Sequence, residues 1–179
     1  IGVEQARAAV ARLHARECPS LTEAHVCIGN GSDDILTILT RAFVPEGGLI
    51  ASPTPSYVLY KSLAEIQGAR FEAVRFCDPW RIPHPWPEAD LTFVPNPNSP
   101  SGTALDPWMV SRLAQHLAPA PLVLDEAYAD DDTPQAVRAL AAGAQPHEAH
   151  RARFARPVPR IREALWLARH GASAAVDCS

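Results

Sequence analysis

The chain has 179 residues, of which 47% are hydrophobic and 20% charged, and its formal net charge is −4. This composition is typical of a globular protein rather than a disordered or membrane one, and the length allows one domain with a real core. The negative charge gives no general attraction to nucleic acid or anionic lipid, and no apolar run approaches the roughly 20 residues of a membrane span, so we expect neither partner.

The pattern of apolar residues over 3–76 predicts alternating helices and strands. Apolar side chains recur at helical spacing in the helices, and short apolar runs mark the strands. In chain order the predicted elements are helix 3–17, strand 25–29 (HVCIG), amphipathic helix 32–43, strand 47–52, helix 55–67 and strand 70–76. Gly68 directly follows the third helix, at the position where glycine commonly ends one.

A loop rich in Pro and Trp at 78–89 separates these elements from the rest. We expect strand 91–95, a polar loop at 95–105, helix 106–117 and strand 121–125 to follow. Asp106 and Pro107 form a good helix start. Such alternation predicts an α/β fold, with a mostly parallel sheet and helices on both faces.

The sequence changes character after Asp132. Residues 133–179 hold seven Arg, many Ala and no Lys, and no convincing periodicity apart from a possible basic helix at 160–170. We therefore predict one partial domain over 1–132 and an irregular tail rich in Arg, Ala and Pro over 133–179. The two histidines of "HEAH" (147–150) are interpreted as solvated side chains rather than metal ligands.

The four cysteines lie far apart and form no Cys-x-x-Cys pair. Reduced thiols are the expected state, and they favour a cytoplasmic location.

Four polar clusters follow predicted strands, where ligands of parallel sheets usually bind. In "GNGSDD" (29–34) the free amides of a helix start and the Ser32 hydroxyl suit a phosphate, although by itself the pattern favours Ser32 as an ordinary N-cap. In "SPTPSYVLY", Tyr57 and Tyr60 could stack on a planar ring or simply pack in the core. The loop "NPNSPSG" (96–102) presents amides, as many surface turns also do.

The fourth cluster, "LVLDEAYAD", places Asp125 and Glu126 at the end of a buried strand. A buried carboxylate requires a partner because its desolvation costs several kcal/mol. Mg²⁺ in a nucleotide hydrolase would be one partner, but that class requires a Gly-x-x-x-x-Gly-Lys loop. The only lysine of the chain, Lys61, stands in "LYKSL" with no glycine before it.

Taken in this order, "GNGSDDIL", "PTPSYVLY", "NPNSPSGT" and "LVLDEAYAD" resemble the cofactor-binding segments of the fold-type I aminotransferases, which depend on pyridoxal 5'-phosphate. The resemblance is nearest to the histidinol-phosphate aminotransferases of histidine biosynthesis. It implies a homodimer that acts on a small amino donor and a 2-oxo acid. The resemblance covers about residues 3–130.

The resemblance also implies roles for individual residues. Asp125 would face the pyridinium nitrogen of the cofactor, and Tyr57 would stack on its ring. The backbone of Ser32 and Asp33 would bind the phosphate, and Tyr128 would contact the phenolic oxygen. The family's second Asn of the Asn-Pro loop is Ser99 here, so Asn98 or Asn96 would take over its contact with that oxygen.

The family's Schiff-base lysine, which follows the Asp strand in a Ser-x-x-Lys or Ser-Lys segment, has no counterpart after Lys61. We therefore assign no catalytic residue and expect an internal, inactive piece of such an enzyme or a degenerate binding module. A tail read out of frame from a GC-rich gene would explain the change after Asp132.

Overall fold

A computed structural model of the chain describes residues 2–16 and 18–129, together with the backbone of 173–175. The described helices are α1 (Val3–Leu13), α2 (Ser32–Phe43), α3 (Leu59–Gln67) and α4 (Pro107–Leu117). The strands are β1 (Leu49–Thr54), β2 (Arg70–Arg75), β3 (Leu91–Pro95), β4 (Leu122–Asp125) and β5 (Ser173–Ala175). The strands form one sheet in the order β2-β1-β3-β4-β5, and each neighbouring pair is parallel.

The two faces of the sheet carry different helices. On one face α2 and α3 pack on the sheet through a buried cluster that includes Leu36, Ile50 and Phe93. On the other face α4 packs through a second cluster that includes Val94, Val110 and Leu124. Successive residues of a strand point to opposite faces, so a strand buried on both sides is apolar over most of its length. This arrangement confirms the predicted α/β fold with helices on both faces.

Local signals explain most element boundaries. The Asp106 carboxylate accepts a hydrogen bond from the Trp108 amide at 3.0 Å, and Pro107 is the first residue of α4. Gly68 ends α3 in the left-handed conformation. The helix predicted from residue 55 begins only at Leu59, and the four residues before it form an irregular turn that is important for the site below.

The strand predicted at 25–29 is wrong. Glu23–His25 form one turn of 3-10 helix, in which His25 Nδ1 accepts a hydrogen bond from the Thr22 amide at 2.9 Å. Val26 has an extended backbone and is buried, but residues 26–29 lie in no strand of the described sheet. An apolar extended segment becomes a strand only where a neighbour pairs with it. The helix predicted over 3–17 likewise ends earlier, at Leu13.

Most of the predicted tail, with the helix at 160–170 and the "HEAH" histidines, lies outside the described residues. Strand β5, which the sequence did not predict, pairs with β4. The division of the chain at residue 132 remains a prediction. In the described part of the chain, no helix has the length and apolarity needed to cross a membrane, and no group of three or more His, Cys, Asp or Glu side chains could hold a metal ion.

Candidate functional site

The carboxyl ends of β1, β3 and β4 bring three loops to one edge of the sheet. Pro95 and Asp125 are register partners at the ends of β3 and β4. One residue further, the Asn96 amide donates to the Asp125 carbonyl oxygen at 2.7 Å. This hydrogen bond joins the loop after β3 to the end of β4. The polar loops that follow the two strands therefore start at neighbouring positions.

Asp125 is the centre of this edge. The residue is only 7% exposed, although it carries a carboxylate. Its Oδ2 accepts a hydrogen bond from Tyr60 Oη at 2.6 Å, and its Oδ1 accepts one from the Ala127 amide at 3.2 Å. A carboxylate has about four acceptor positions, so each oxygen can still accept another donor.

Tyr60 is the residue of the site that the sequence analysis did not assign. Its side chain is fully buried, and its ring stacks on Phe93 with centroids 4.9 Å apart and planes 12° apart. Burial, followed by the charge of Asp125 and the hydrogen bond to it, raises the pKa of Tyr60 well above the usual tyrosine range. Its hydroxyl is therefore a permanent donor at neutral pH. Only its spacing of three from Tyr57 hinted that the two tyrosines lie close together near the start of α3.

Tyr57 connects Asp125 to the start of α2. Its ring meets the Tyr60 ring edge to face, with centroids 5.7 Å apart, and its hydroxyl donates to Asp33 Oδ1 at 3.2 Å. Burial raises the pKa of Tyr57, and the charge and hydrogen bond of Asp33 add to the effect. Asp33, Tyr57, Tyr60 and Asp125 thus form one continuous row of contacts.

The start of α2 presents free amides. Helix α2 begins at Ser32 with Gly31 as its N-cap, so the alternative interpretation of Ser32 as the capping residue is wrong. Gly31 has φ 81° and ψ 174°, a backbone region that is essentially restricted to glycine. Among the described residues, no acceptor receives a hydrogen bond from the backbone amides of Ser32 and Asp33. Such amides at a helix N-terminus favour an anion.

The loop after β3 is held by Asn98, which is 3% exposed. Its Nδ2 donates to Ser101 Oγ at 2.9 Å and to the Pro55 carbonyl oxygen at 3.3 Å, which ties this loop to the turn that carries Tyr57. Its Oδ1 is buried and has no hydrogen-bond partner among the described residues. A buried acceptor without a donor is costly, so it marks a place where a ligand donor would be favoured.

The remaining predicted residues lie at the rim. Tyr128 is 69% exposed, in the turn after β4, and its hydroxyl also contributes to the raised pKa of Tyr57. Lys61 directly follows Tyr60 on α3, but its side chain is 66% exposed and pairs with Glu65 at 3.7 Å. One residue along a helix is a rotation of about 100°, so Lys61 points away from the face that carries Tyr60.

Two concave pockets lie elsewhere on the protein. One is lined by residues 86–90 and 118–121, which precede β3 and β4 and so lie at the opposite edge of the sheet. The other lies between the 82–86 loop and α4. Neither pocket is lined by Asp125 or by the residues in contact with it, and we consider the chemistry of the carboxyl edge the better guide to a site.

The sequence matches the family described as aminotransferase class I and II over residues 1–142. It is 51% identical over 109 residues to the histidinol-phosphate aminotransferase of Rhodopirellula baltica, a match that covers 59% of this chain and 30% of that protein. The corresponding enzyme of Geotalea uraniireducens is 42% identical over 108 residues, with the same two coverages of 59% and 30%. The chain thus spans about a third of the length of the curated relatives it matches.

The fold is similar to that of solved aminotransferases. An alanine aminotransferase from Pyrococcus furiosus superposes with a TM-score of 0.61 at 23% identity, over 70% of this chain and 35% of that one. A histidinol-phosphate aminotransferase from Sinorhizobium meliloti, solved in complex with pyridoxal-5'-phosphate, gives 0.58 at 24% identity, over 72% and 36%. At such identities the likeness shows the fold alone.

Proposed function

Because the chain belongs to the class I and II aminotransferases, we propose that its described residues form the pyridoxal-phosphate-binding part of a transaminase. The reaction would move an amino group between an amino-acid-like donor and a 2-oxo acid. One observation supports this proposal above the others: a buried carboxylate, Asp125, ends an inner strand and is connected through Tyr60 and Tyr57 to the start of α2. A cationic ring nitrogen would give that carboxylate the partner it requires.

The residues at this edge fit the cofactor group by group. Asp125 would hold a proton on the ring nitrogen, and Tyr57 would cover one face of the ring. The amides of Ser32 and Asp33 would bind the phosphate, supported by the positive end of α2. When bound, pyridoxal phosphate supplies an electron-accepting ring that stabilises the negative charge left by the loss of the substrate's α-proton.

The contact with the phenolic oxygen is proposed for Tyr128 and Asn98. Tyr128 is exposed and therefore accessible to a ligand. Asn98 Nδ2 already has two acceptors, of which the Pro55 carbonyl at 3.3 Å is the longer and weaker contact. We propose that Asn98 Nδ2 gives up this hydrogen bond and donates to the phenolic oxygen of the ligand instead. This would replace in part the contact that the family's asparagine makes and that Ser99, at its position, does not.

The substrate is proposed from the relatives. The curated relatives reported above are histidinol-phosphate aminotransferases, which supports histidinol phosphate as the amino donor, with 2-oxoglutarate as the acceptor. A homodimer and a cytoplasmic location belong to the same proposal. Among the described residues, the thiols of Cys18 and Cys77 are free, which is consistent with a reducing compartment.

A second candidate is a chain that binds the cofactor without turning over substrate. Lys61 is the only lysine of the sequence. It forms an exposed ion pair with Glu65 and points away from the face of α3 that carries Tyr60. No other side chain of these 179 residues can supply the amine that the family uses for covalent attachment and proton transfer. We propose this binding-only state for the present chain, within the family assignment.

The test is binding of pyridoxal phosphate to the purified chain, followed by tryptophan fluorescence and absorbance. A charge-assisted hydrogen bond is worth about 1.5–3 kcal/mol, so Asp125→Asn should weaken binding by about 10- to 150-fold. The matched control is Glu72→Ala, which removes an exposed carboxylate from β2 and should leave the affinity unchanged. The proposed site would be refuted if Asp125→Asn bound pyridoxal phosphate as tightly as the wild type does. It would also be refuted if the wild type did not bind pyridoxal phosphate.

Covalent attachment is tested on the same samples. Borohydride reduction followed by mass spectrometry should give no adduct on Lys61, and Lys61→Arg should bind the cofactor as the wild type does. A stable adduct on Lys61 would contradict the binding-only candidate and leave the family assignment intact.

A further inference from the structure

Within the part of the chain that the structure describes, the Asp125 carboxylate accepts hydrogen bonds from two donors that come from different parts of the fold. The Ala127 amide belongs to the turn that directly follows β4, only two residues from Asp125. Tyr60 lies 65 residues away in sequence, on α3, and its hydroxyl reaches the other carboxylate oxygen at 2.6 Å. The first contact is local, and only the second fixes the carboxylate relative to the rest of the domain.

The side chain of Tyr60 is itself held by close packing. It lies in the first turn of α3, it is fully buried, and its ring stacks on Phe93 of β3. A ring packed in this way has few rotamers to choose from, and so the hydroxyl has a fixed position. Phenylalanine would fill the same space. Core packing accounts for the ring but leaves the hydroxyl, and its hydrogen bond to a carboxylate, unexplained.

The chemistry of the donor is also specific. An arginine or lysine in this place would neutralise Asp125 and compete with a cationic ligand. A tyrosine hydroxyl that stays protonated donates one hydrogen bond and leaves the negative charge in place. Each oxygen of the carboxylate can then accept a further hydrogen bond from a ligand at the carboxyl edge of the sheet.

From this geometry we propose that Tyr60 is a positioning residue that orients the Asp125 carboxylate toward the ring nitrogen of the cofactor. The inference rests on the proposed function, because it assigns a role within that binding site. Tyr60 acts through Asp125 and does not touch the ligand. Its loss should therefore affect only the part of the binding that depends on the ring nitrogen.

The experiment compares two ligands, pyridoxal phosphate and its 1-deaza analogue, in which a carbon atom replaces the ring nitrogen. Tyr60→Phe should weaken binding of pyridoxal phosphate by about 3- to 10-fold and leave the affinity for the deaza analogue unchanged. In the Asp125→Asn background, Tyr60→Phe should have no further effect on either ligand. The matched control is Thr40→Val, which removes another buried hydroxyl, bonded to the Leu36 carbonyl at 2.9 Å, and should change neither affinity.

A second variant tests the position of the charge with Tyr60 intact. Asp125→Glu keeps the carboxylate and moves it by one methylene, so it should also reduce the preference for pyridoxal phosphate over the deaza analogue. Equal losses for both ligands in Tyr60→Phe, or an unchanged preference in Asp125→Glu, would overturn the positioning role while the proposed function stands. Absence of pyridoxal phosphate binding to the wild type would overturn the proposed function, and this inference with it.

Discussion

Replacement of Tyr60 by Phe isolates one buried hydrogen bond. The change removes a single oxygen atom and keeps the ring that stacks on Phe93. The lost bond is short, 2.6 Å, and its acceptor is a carboxylate in a residue that is 7% exposed. Hydrogen bonds to charged groups contribute about 1.5–3 kcal/mol. The Ala127 amide still serves the other oxygen, so we expect the free energy of unfolding to fall by about 2 kcal/mol.

The assay is urea unfolding at pH 7, followed by tryptophan fluorescence, with thermal unfolding as a second measurement. For a chain of this size a loss of about 2 kcal/mol lowers Tm by about 4–8 °C. A double-mutant cycle with Asp125→Asn should give a coupling energy of at least about 1 kcal/mol, because the two side chains share the bond. Thr40→Val shares no partner with Asp125 and should be additive with Asp125→Asn. A Tyr60→Phe protein as stable as the wild type, or additive with Asp125→Asn, would refute the reasoning.

Two further predictions concern the same edge of the sheet. The pKa of Tyr60 is raised in the folded protein, whereas an unfolded tyrosine releases its proton near pH 10. The unfolded state therefore binds fewer protons above about pH 10, and the free energy of unfolding should fall there by up to about 1.4 kcal/mol per pH unit for this group. Urea unfolding between pH 9 and 11 should show a shallower fall in Tyr60→Phe, and equal slopes would contradict the assignment. Gly31→Ala should lower the free energy of unfolding by about 1–3 kcal/mol, because alanine does not readily adopt the φ of 81° at the start of α2. Denaturant unfolding checks this change, and a neutral effect would show that the turn has another conformation.

Much of the fold could be predicted from short-range patterns. The apolar spacing in 32–43 and 107–117, and the short apolar runs at 91–95 and 122–125, indicate helices and strands before any long-range contact forms. The segment at 25–29 shows the limit of this approach. It is largely apolar like the true strands, but His25 belongs to a 3-10 turn and residues 26–29 lie in no strand of the described sheet. A strand requires a hydrogen-bonding neighbour, and the sequence does not reveal which segments lie side by side.

The site divides in the same way. Asp125 was identifiable because a carboxylate directly after a buried apolar run requires a partner wherever it lies. Tyr57 and Asp33 were assigned through the resemblance, and their contact at 3.2 Å became visible only in the structure. The roles of these residues toward a cofactor remain predictions, as do those of Ser32, Asn98 and Tyr128.

The sequence by itself determined most of the element types, the alternation that produces a parallel sheet, the family resemblance and the lack of any lysine beyond Lys61. Tertiary structure alone decided that Tyr60 reaches Asp125 across 65 residues of chain and that Asn98 ties two loops together. The physical reason is the range of the interactions involved. Hydrophobic periodicity and helix caps act within a few residues, whereas a hydrogen bond between distant side chains depends on strand order, register and the packing of α3 on the sheet.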